Sequence, residues 1–179
     1  LEFRRVLFRS QNIQHPMFGK DYFKRKQMFR DEDGGFFEDN DERAIFFAKG
    51  ILETVKKLRW APDIIHCQGW ISHLLPVYLK KIYKDDPIFA SSKIVLSLYN
   101  DIAPAEHFSD DFQSKVAMGA IRPEDVPLLS GCDGIKLAKT AIRYADAVIE
   151  GTADIDPELI KFTGALGLMT RRLSMAAGT

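Results

Sequence analysis

The spacing of apolar and polar positions divides the chain into alternating long-period and short-period stretches. From Ala44, apolar residues recur at Phe47, Ala48, Ile51, Leu52, Val55 and Leu58, the 3.6-residue stripe of a half-buried helix. Asp39 is placed as its N-cap, with Glu42 three residues later as in a capping box. Gly50 inside the stripe costs about 1 kcal/mol relative to alanine, which close packing on a neighbouring backbone would explain. Trp60-Ala61-Pro62-Asp63 breaks the helix, and Ile64, Ile65, His66 and Cys67 follow as a short apolar strand.

Gln68-Gly69-Trp70 reads as a turn, and a second helix starts near Ser72 with Leu75, Tyr78, Leu79 and Ile82 on its apolar side. Pro76 fits it only in the first turn, where a missing N–H costs nothing. Residues 93–99 (KIVLSLY) form the clearest strand, ending at Asn100-Asp101. Helical pieces are expected over 112–118, 123–129 and 135–144, then a strand through Ala147, Val148 and Ile149. Asp156-Pro157-Glu158 has the cap, proline and acid of a helix start. Such alternation predicts an α/β fold, a parallel sheet with helices on both faces. The stretch before it, 11–40, is polar and aromatic, a loop turning at Gly34-Gly35 and anchored by Tyr22, Phe23, Phe36 and Phe37.

Both ends stand apart from this pattern. Residues 1–10, LEFRRVLFRS, resemble the in-frame translation of a common sequencing-adapter oligonucleotide and are expected to be non-native, with a native amphipathic N-terminus as the alternative. Residues 163–179 hold no acidic residue and no clear turn-and-strand continuation. A shifted reading frame or an assembly junction after about Phe162 is expected there, with a native helix as the alternative. The domain proper is thus read as 11–162.

Composition narrows the partners. Lysine plus arginine and aspartate plus glutamate each number 25, so net charge gives no reason to expect nucleic acid or an anionic membrane. No apolar run approaches the ~20 residues of a membrane-spanning helix. Cys67 and Cys132 lie far apart and read as buried free thiols in a reducing cytosol.

In an open parallel sheet, ligands bind beyond the carboxyl ends of the strands. That rule selects Cys67-Gln68-Gly69-Trp70 and Tyr99-Asn100-Asp101. Both loops carry hydrogen-bonding and stacking side chains of the kind a sugar site needs. The plain structural alternative makes Trp70 a core plug and Asn100 a turn cap. His66, on a buried strand, is expected to be a hydrogen-bonded core residue, and with His73 it lacks a third partner for a metal. No glycine-rich dinucleotide fingerprint, P-loop or nucleophile elbow occurs.

At these loops the sequence resembles a known family. FFEDNDERAIFFAKGILETVKKLRWAPDIIHCQGWISHLLPVYLKK is similar to the N-terminal domain of bacterial glycogen and starch synthases, in the divergent form of Bacteroidetes-like bacteria. Asp39, Asn40 and Arg43 fit the family pattern D-N-x-x-R-F, with Phe46 a looser match. Pro62, Asp63, Ile64, Ile65, His66 and Trp70 fit P-D-[IV]-[IV]-H-x-H-D-W, and Leu74, Pro76, Tyr78, Leu79 and Lys80 fit the helix after it. KIVLSLYN lies where the family has a strand ending in V-H-N, and LAKTAIRYADAVIEGTADIDPELI resembles its next helix, strand and helix start. The likeness spans about 21–160.

The resemblance implies a partial Rossmann-like N-terminal domain of a two-domain GT-B glycosyltransferase. Such an enzyme is cytoplasmic, transfers glucose from ADP-glucose to an α-1,4-glucan with retention, and uses no metal or other cofactor. In the family the diphosphate-facing lysine and arginine and a key glutamate come from the C-terminal domain. The glycine-rich loop after the first strand would precede Gln11. This chain is therefore expected to be inactive alone, with Gln68, Trp70, Tyr99 and Asn100 lining the sugar side of the cleft. Asp39 and Arg43 are expected to fix the helix start. The catalytic residues stay unassigned, because the family aspartate falls on Gly69, its second histidine on Gln68 and the V-H-N histidine on Tyr99. Two alternatives follow from those departures: a glucan-binding or regulatory pseudo-synthase, and a GT-B transferase using another sugar nucleotide.

Overall fold

The computed structural model describes residues 29–31, 33–117 and 119–172, in two units divided between Phe37 and Glu38. Residues 1–10, Tyr22, Phe23 and the end of the tail beyond Arg172 lie outside the described residues. In the first unit the turn expected at Gly34-Gly35 forms. Gly34 has φ of 87°, Arg30 bridges Phe36 antiparallel, and the Asp31 carboxylate accepts the N–H groups of Asp33 and Gly35 at 3.0 and 2.7 Å.

The second unit is the α/β body. Helix α1 (Asn40–Lys57) leads into β1 (Ile64–Gln68), and a short 3-10 turn at Trp70–Ser72 precedes α2 (Leu75–Lys81). Strand β2 (Lys93–Leu98) is followed by α3 (Phe112–Val116), α4 (Gly134–Tyr144), β3 (Ala147–Glu150), α5 (Pro157–Ala165) and β4 (Met169–Arg172). Pro76 sits in the first turn of α2, as its missing N–H requires. Residues 123–129 form two proline-led 3-10 turns rather than one helix. Where no strand was expected, the chain turns at Gly167 (φ 64°) and adds β4 parallel to β3.

The four strands found among the described residues are all parallel, in the order β1-β2-β3-β4. Right-handed crossovers in a monotonic order place successive helices on one face. Accordingly α2 packs on α4 and α4 on α5, and α1 packs on α2. The register puts Cys67, Ile94, Leu96, Leu98 and Val148 beneath these helices, all buried. Among the described residues the other face stays more open. His66 and Gln68 are exposed, and Val95, Ala147 and Ile149 are only partly covered. The parallel sheet with packed helices expected from the pattern is present.

One residue joins strands and helix at once. The Asp146 N–H donates to the Ile94 carbonyl at 2.8 Å, its carboxylate accepts the Ile94 N–H at 2.8 Å, and Lys80 Nζ lies 2.9 Å from its Oδ1. Burial works against the charge, but Lys80 and the Ile94 N–H prevail and hold the carboxyl below its ordinary pKa.

Several details depart from expectation. Asp39 makes no capping bond; its Oδ1 accepts from Arg43 Nε at 2.8 Å, so the pair does brace the helix start. The buried first-turn carboxylate is Asp41, which accepts the Glu42 N–H at 2.7 Å, the Ser109 hydroxyl, and Lys115 Nζ at 3.0 Å. Gly50 meets nothing within 4 Å of a built Cβ among the described residues, so packing does not explain it. Cys67 and Cys132 are buried free thiols, and burial pushes both up to about 12. No helix among the described residues is long and apolar enough to cross a membrane.

His73 is 4% exposed, and neither ring nitrogen has a hydrogen-bond partner among the described residues. Burial lowers its pKa from 6.5 to about 4. The unfolded chain therefore holds that proton more tightly than the folded one. The His73 contribution to stability is therefore fully present above pH 6.5 and is lost as pH drops toward 4, by up to about 3 kcal/mol. In urea titrations of the chain between pH 7.5 and 4, His73→Leu should flatten this decline and cost nothing at pH 7.5, since two unpaired polar atoms leave the core. A decline of unchanged steepness in the variant would contradict the assignment. Gly50→Ala should raise the unfolding free energy by about 0.5–1 kcal/mol, and a loss in the same titration would show that the glycine is needed.

Candidate functional site at the strand tips

Residues selected from the sequence come together at the carboxyl ends of β1 and β2. The two strands pair in register from Ile64 with Lys93 to Gln68 with Ser97, so the loops leaving them start side by side. They are then tied: the Trp70 N–H donates to Asp101 Oδ2 at 3.2 Å. Between them Gly69 adopts φ 75° and ψ 151°, a region essentially closed to residues with a Cβ. A Cβ built there would lie 3.4 Å from Asp101 Oδ2.

On the open face of the sheet the polar groups form a short chain. His66 Nε2 pairs with Ser97 Oγ at 2.7 Å, and Gln68 Nε2 approaches His66 Nδ1 at 3.2 Å. His66 was expected in the core. It is hydrogen-bonded but exposed, because β1 is an edge strand among the described residues and the alternation turns His66 and Gln68 away from the helices. His73 is elsewhere, buried behind the loop, and does not meet His66 in any hydrogen bond or ring contact of the described residues.

Trp70 is held rather than loose. Its ring stacks on His107 with centroids 4.9 Å apart and planes at 22°, and Phe108 meets it edge-on at 6.1 Å. His107 is itself buried and its Nδ1 is 2.7 Å from Asn40 Nδ2. The first residue of α1 thus braces the β1 loop through an imidazole. Asn40 and Trp70, 30 positions apart in the sequence, belong to one structural unit. This places Trp70 close to the plug expected as its plain structural role, while leaving it only half-buried at the tip.

The β3 tip joins the same row. Asn100 Nδ2 donates to Asp154 Oδ2 at 2.8 Å, so Asn100 bridges two loops instead of capping its own turn. The Tyr99 ring lies against Gly151, where a Cβ would fall 2.4 Å from the ring. Only glycine permits that approach. Farther along the β2 loop, Gly134 at the start of α4 admits no Cβ either, because the Ala103 carbonyl and amide would stand 2.4 and 2.6 Å from it. The N-cap Asp133 accepts the Lys136 N–H at 2.8 Å beside that contact. The loop carrying Asn100 and Asp101 is therefore seated on a rigid helix start.

Asp101 reaches solvent at its edge. Burial nevertheless raises its pKa, against the lowering effect of the Trp70 and Asp101 backbone N–H groups. Asp154 is the converse: the Asn100 amide, donating at 2.8 Å, holds its carboxyl below the ordinary value. Sequence reasoning missed His107, Gly151 and Asp154. Only Gly151 left a local signal, a glycine directly after a strand. The row as a whole offers amide, phenol and carboxylate groups along one sheet edge, suited to pairing with the alternating donors and acceptors of a polyhydroxylated ligand.

Comparison with known proteins agrees with this architecture. The family model for the starch synthase catalytic domain matches residues 5–170. The glycogen synthase of Chlorobium limicola is 36% identical over 146 residues, 77% of this chain and 30% of that protein. Glycogen synthase from Elusimicrobium minutum is 35% identical over 128 residues, 71% of this chain and 26% of its own length. The chain thus spans about a third or less of the curated relatives it matches. Among solved structures, the catalytic domain of starch synthase IV from Arabidopsis thaliana, bound to ADP and acarbose, aligns with a TM-score of 0.57 at 18% identity. It covers 89% of this chain and 33% of that one, a likeness of fold. By the extent of the family match and the level of these identities, the chain belongs to the starch synthase catalytic domain family.

Proposed function

We propose that this chain supplies one wall of the sugar cleft of a retaining glycosyltransferase that moves glucose from ADP-glucose to an α-1,4-glucan. The observation that carries the proposal is the convergence of the β1 and β2 tips, joined by the Trp70–Asp101 hydrogen bond, at the position where open parallel sheets bind ligands. Family membership supplies the reaction class, and the ADP and acarbose named with the Arabidopsis structure favour a nucleotide sugar and a glucan as the two substrates. Gln68 and Asn100 donate and accept hydrogen bonds to sugar hydroxyls. Trp70 and Tyr99 shape the wall, each fixed from behind, by His107 and Gly151 respectively. Departure of a nucleoside diphosphate calls for cations near its phosphates. The tip residues 68–70 and 99–101 include no lysine or arginine, so that task falls to the remainder of the full-length protein, and the chain by itself is inactive.

Two observations favour a second reading, a glucan-binding protein without transfer activity. Gly69 stands where the family has an aspartate, in a backbone conformation closed to one. Tyr99 stands for a histidine and has its ring against Gly151. A different donor nucleotide is the third outcome. These separate in one assay: full-length protein carrying this chain, with glycogen primer and ADP-, UDP- or GDP-glucose. Incorporation is expected from ADP-glucose, with none from the chain alone. Gln68→Ala and Asn100→Ala should each lower kcat/KM by about 3- to 10-fold, the worth of one neutral hydrogen bond. Glucan binding without incorporation from any donor would establish the second reading instead.

A further inference from the structure

We propose that the Asp101 carboxylate, held beside Gly69 by the Trp70 N–H, accepts hydroxyl groups of the sugar bound at the β1 and β2 tips. This rests on the cleft assigned above and specifies its charged contact.

Several features of the tip converge on Asp101. Of the six residues 68–70 and 99–101, it is the only carboxylate. Its Oδ2 lies 3.4 Å from where the Cβ of residue 69 would stand, in contact with the position that carries no side chain. Gly69 cannot regain a side chain cheaply, because φ 75° with ψ 151° excludes one. The Trp70 N–H at 3.2 Å fixes the carboxylate's orientation, and Trp70 is itself clamped by His107.

A carboxylate offers about four acceptor positions, and the backbone N–H groups of Trp70 and Asp101 engage two of them. The remainder match neighbouring hydroxyls on a sugar ring, which donate in pairs. The neighbouring Asp154 is already engaged by Asn100 at 2.8 Å, which leaves Asp101 to meet the ligand.

Asparagine and alanine separate this role from loop support. In the full-length protein carrying this chain, Asp101→Asn keeps an oxygen for the Trp70 N–H but loses the charge, while Asp101→Ala loses both. Both variants should lower kcat/KM for the nucleotide sugar by roughly 10- to 100-fold, the worth of hydrogen bonds to a charged acceptor. The melting temperature of the asparagine variant should match that of the parent. Donors lacking one ring hydroxyl should lose less in Asp101→Asn than in the parent, at the hydroxyl the carboxylate contacts. Parent-like kinetics in Asp101→Asn would overturn the proposal, whatever the alanine variant does. If Asn100→Ala impairs transfer while Asp101→Asn does not, the cleft stands and the Asp101 role falls. If the parent neither transfers from any nucleotide sugar nor binds glucan, the cleft falls and this role with it.

Discussion

Asp146 holds β3 to β2 by a reciprocal pair of bonds. Its N–H reaches the Ile94 carbonyl and its carboxylate takes the Ile94 N–H, while Lys80 from α2 neutralises the charge. Removing the carboxylate would leave a buried strand N–H unmet, at a cost of about 1–3 kcal/mol. The consequence reaches beyond stability. Parallel strands have a side-chain period of two, so a slip of one residue turns every side chain to the opposite face. With the slip blocked at the start of β2, Leu98 ends level with Glu150 and Gln68 level with Ser97. The loops then depart from one line, and the tips can form a continuous edge.

From that line the remaining contacts fix the side chains at the tips. Asn40 at the head of α1 supports His107, His107 supports Trp70, and the Trp70 N–H fixes Asp101. A second route runs through Tyr99 on Gly151 and Asn100 on Asp154, binding the β2 loop to the β3 loop. Glycine is required at each close approach: Gly69 for its backbone angles, Gly151 for the Tyr99 ring, and Gly134 for the Ala103 backbone. Side chains supported from behind in this manner are preorganised, the condition that the proposed sugar site requires.

Much of this was legible in the sequence, and for identifiable reasons. The stripe from Ala44 to Leu58 and the apolar runs at 64–67 and 93–99 report local periodicity, so α1, β1 and β2 were readable directly. The strand-end rule then pointed to Gln68, Trp70, Tyr99 and Asn100 before any contact was known. What stayed hidden depends on distant pairs. Nothing near His107 foretells Asn40, 67 positions away. The burial of His66 was misjudged because periodicity cannot tell an edge strand from a central one. The capping role given to Asp39 went instead to an ion pair with Arg43, a choice set by side-chain reach rather than by sequence spacing. β4 was missed because Met169, Thr170, Arg171 and Arg172 lack an apolar pattern, and its place comes from pairing with β3.

The account turns on the strand tips being the sugar-binding edge of the sheet. A crystal structure of the full-length protein carrying this chain, with a nucleoside diphosphate and a maltooligosaccharide bound, tests that most directly. The account predicts sugar hydroxyls within hydrogen-bonding distance of Gln68, Asn100 or Asp101, with the Trp70–Asp101 contact intact. Sugar bound away from the β1 and β2 tips, or those tips sealed beneath another part of the protein, would contradict it.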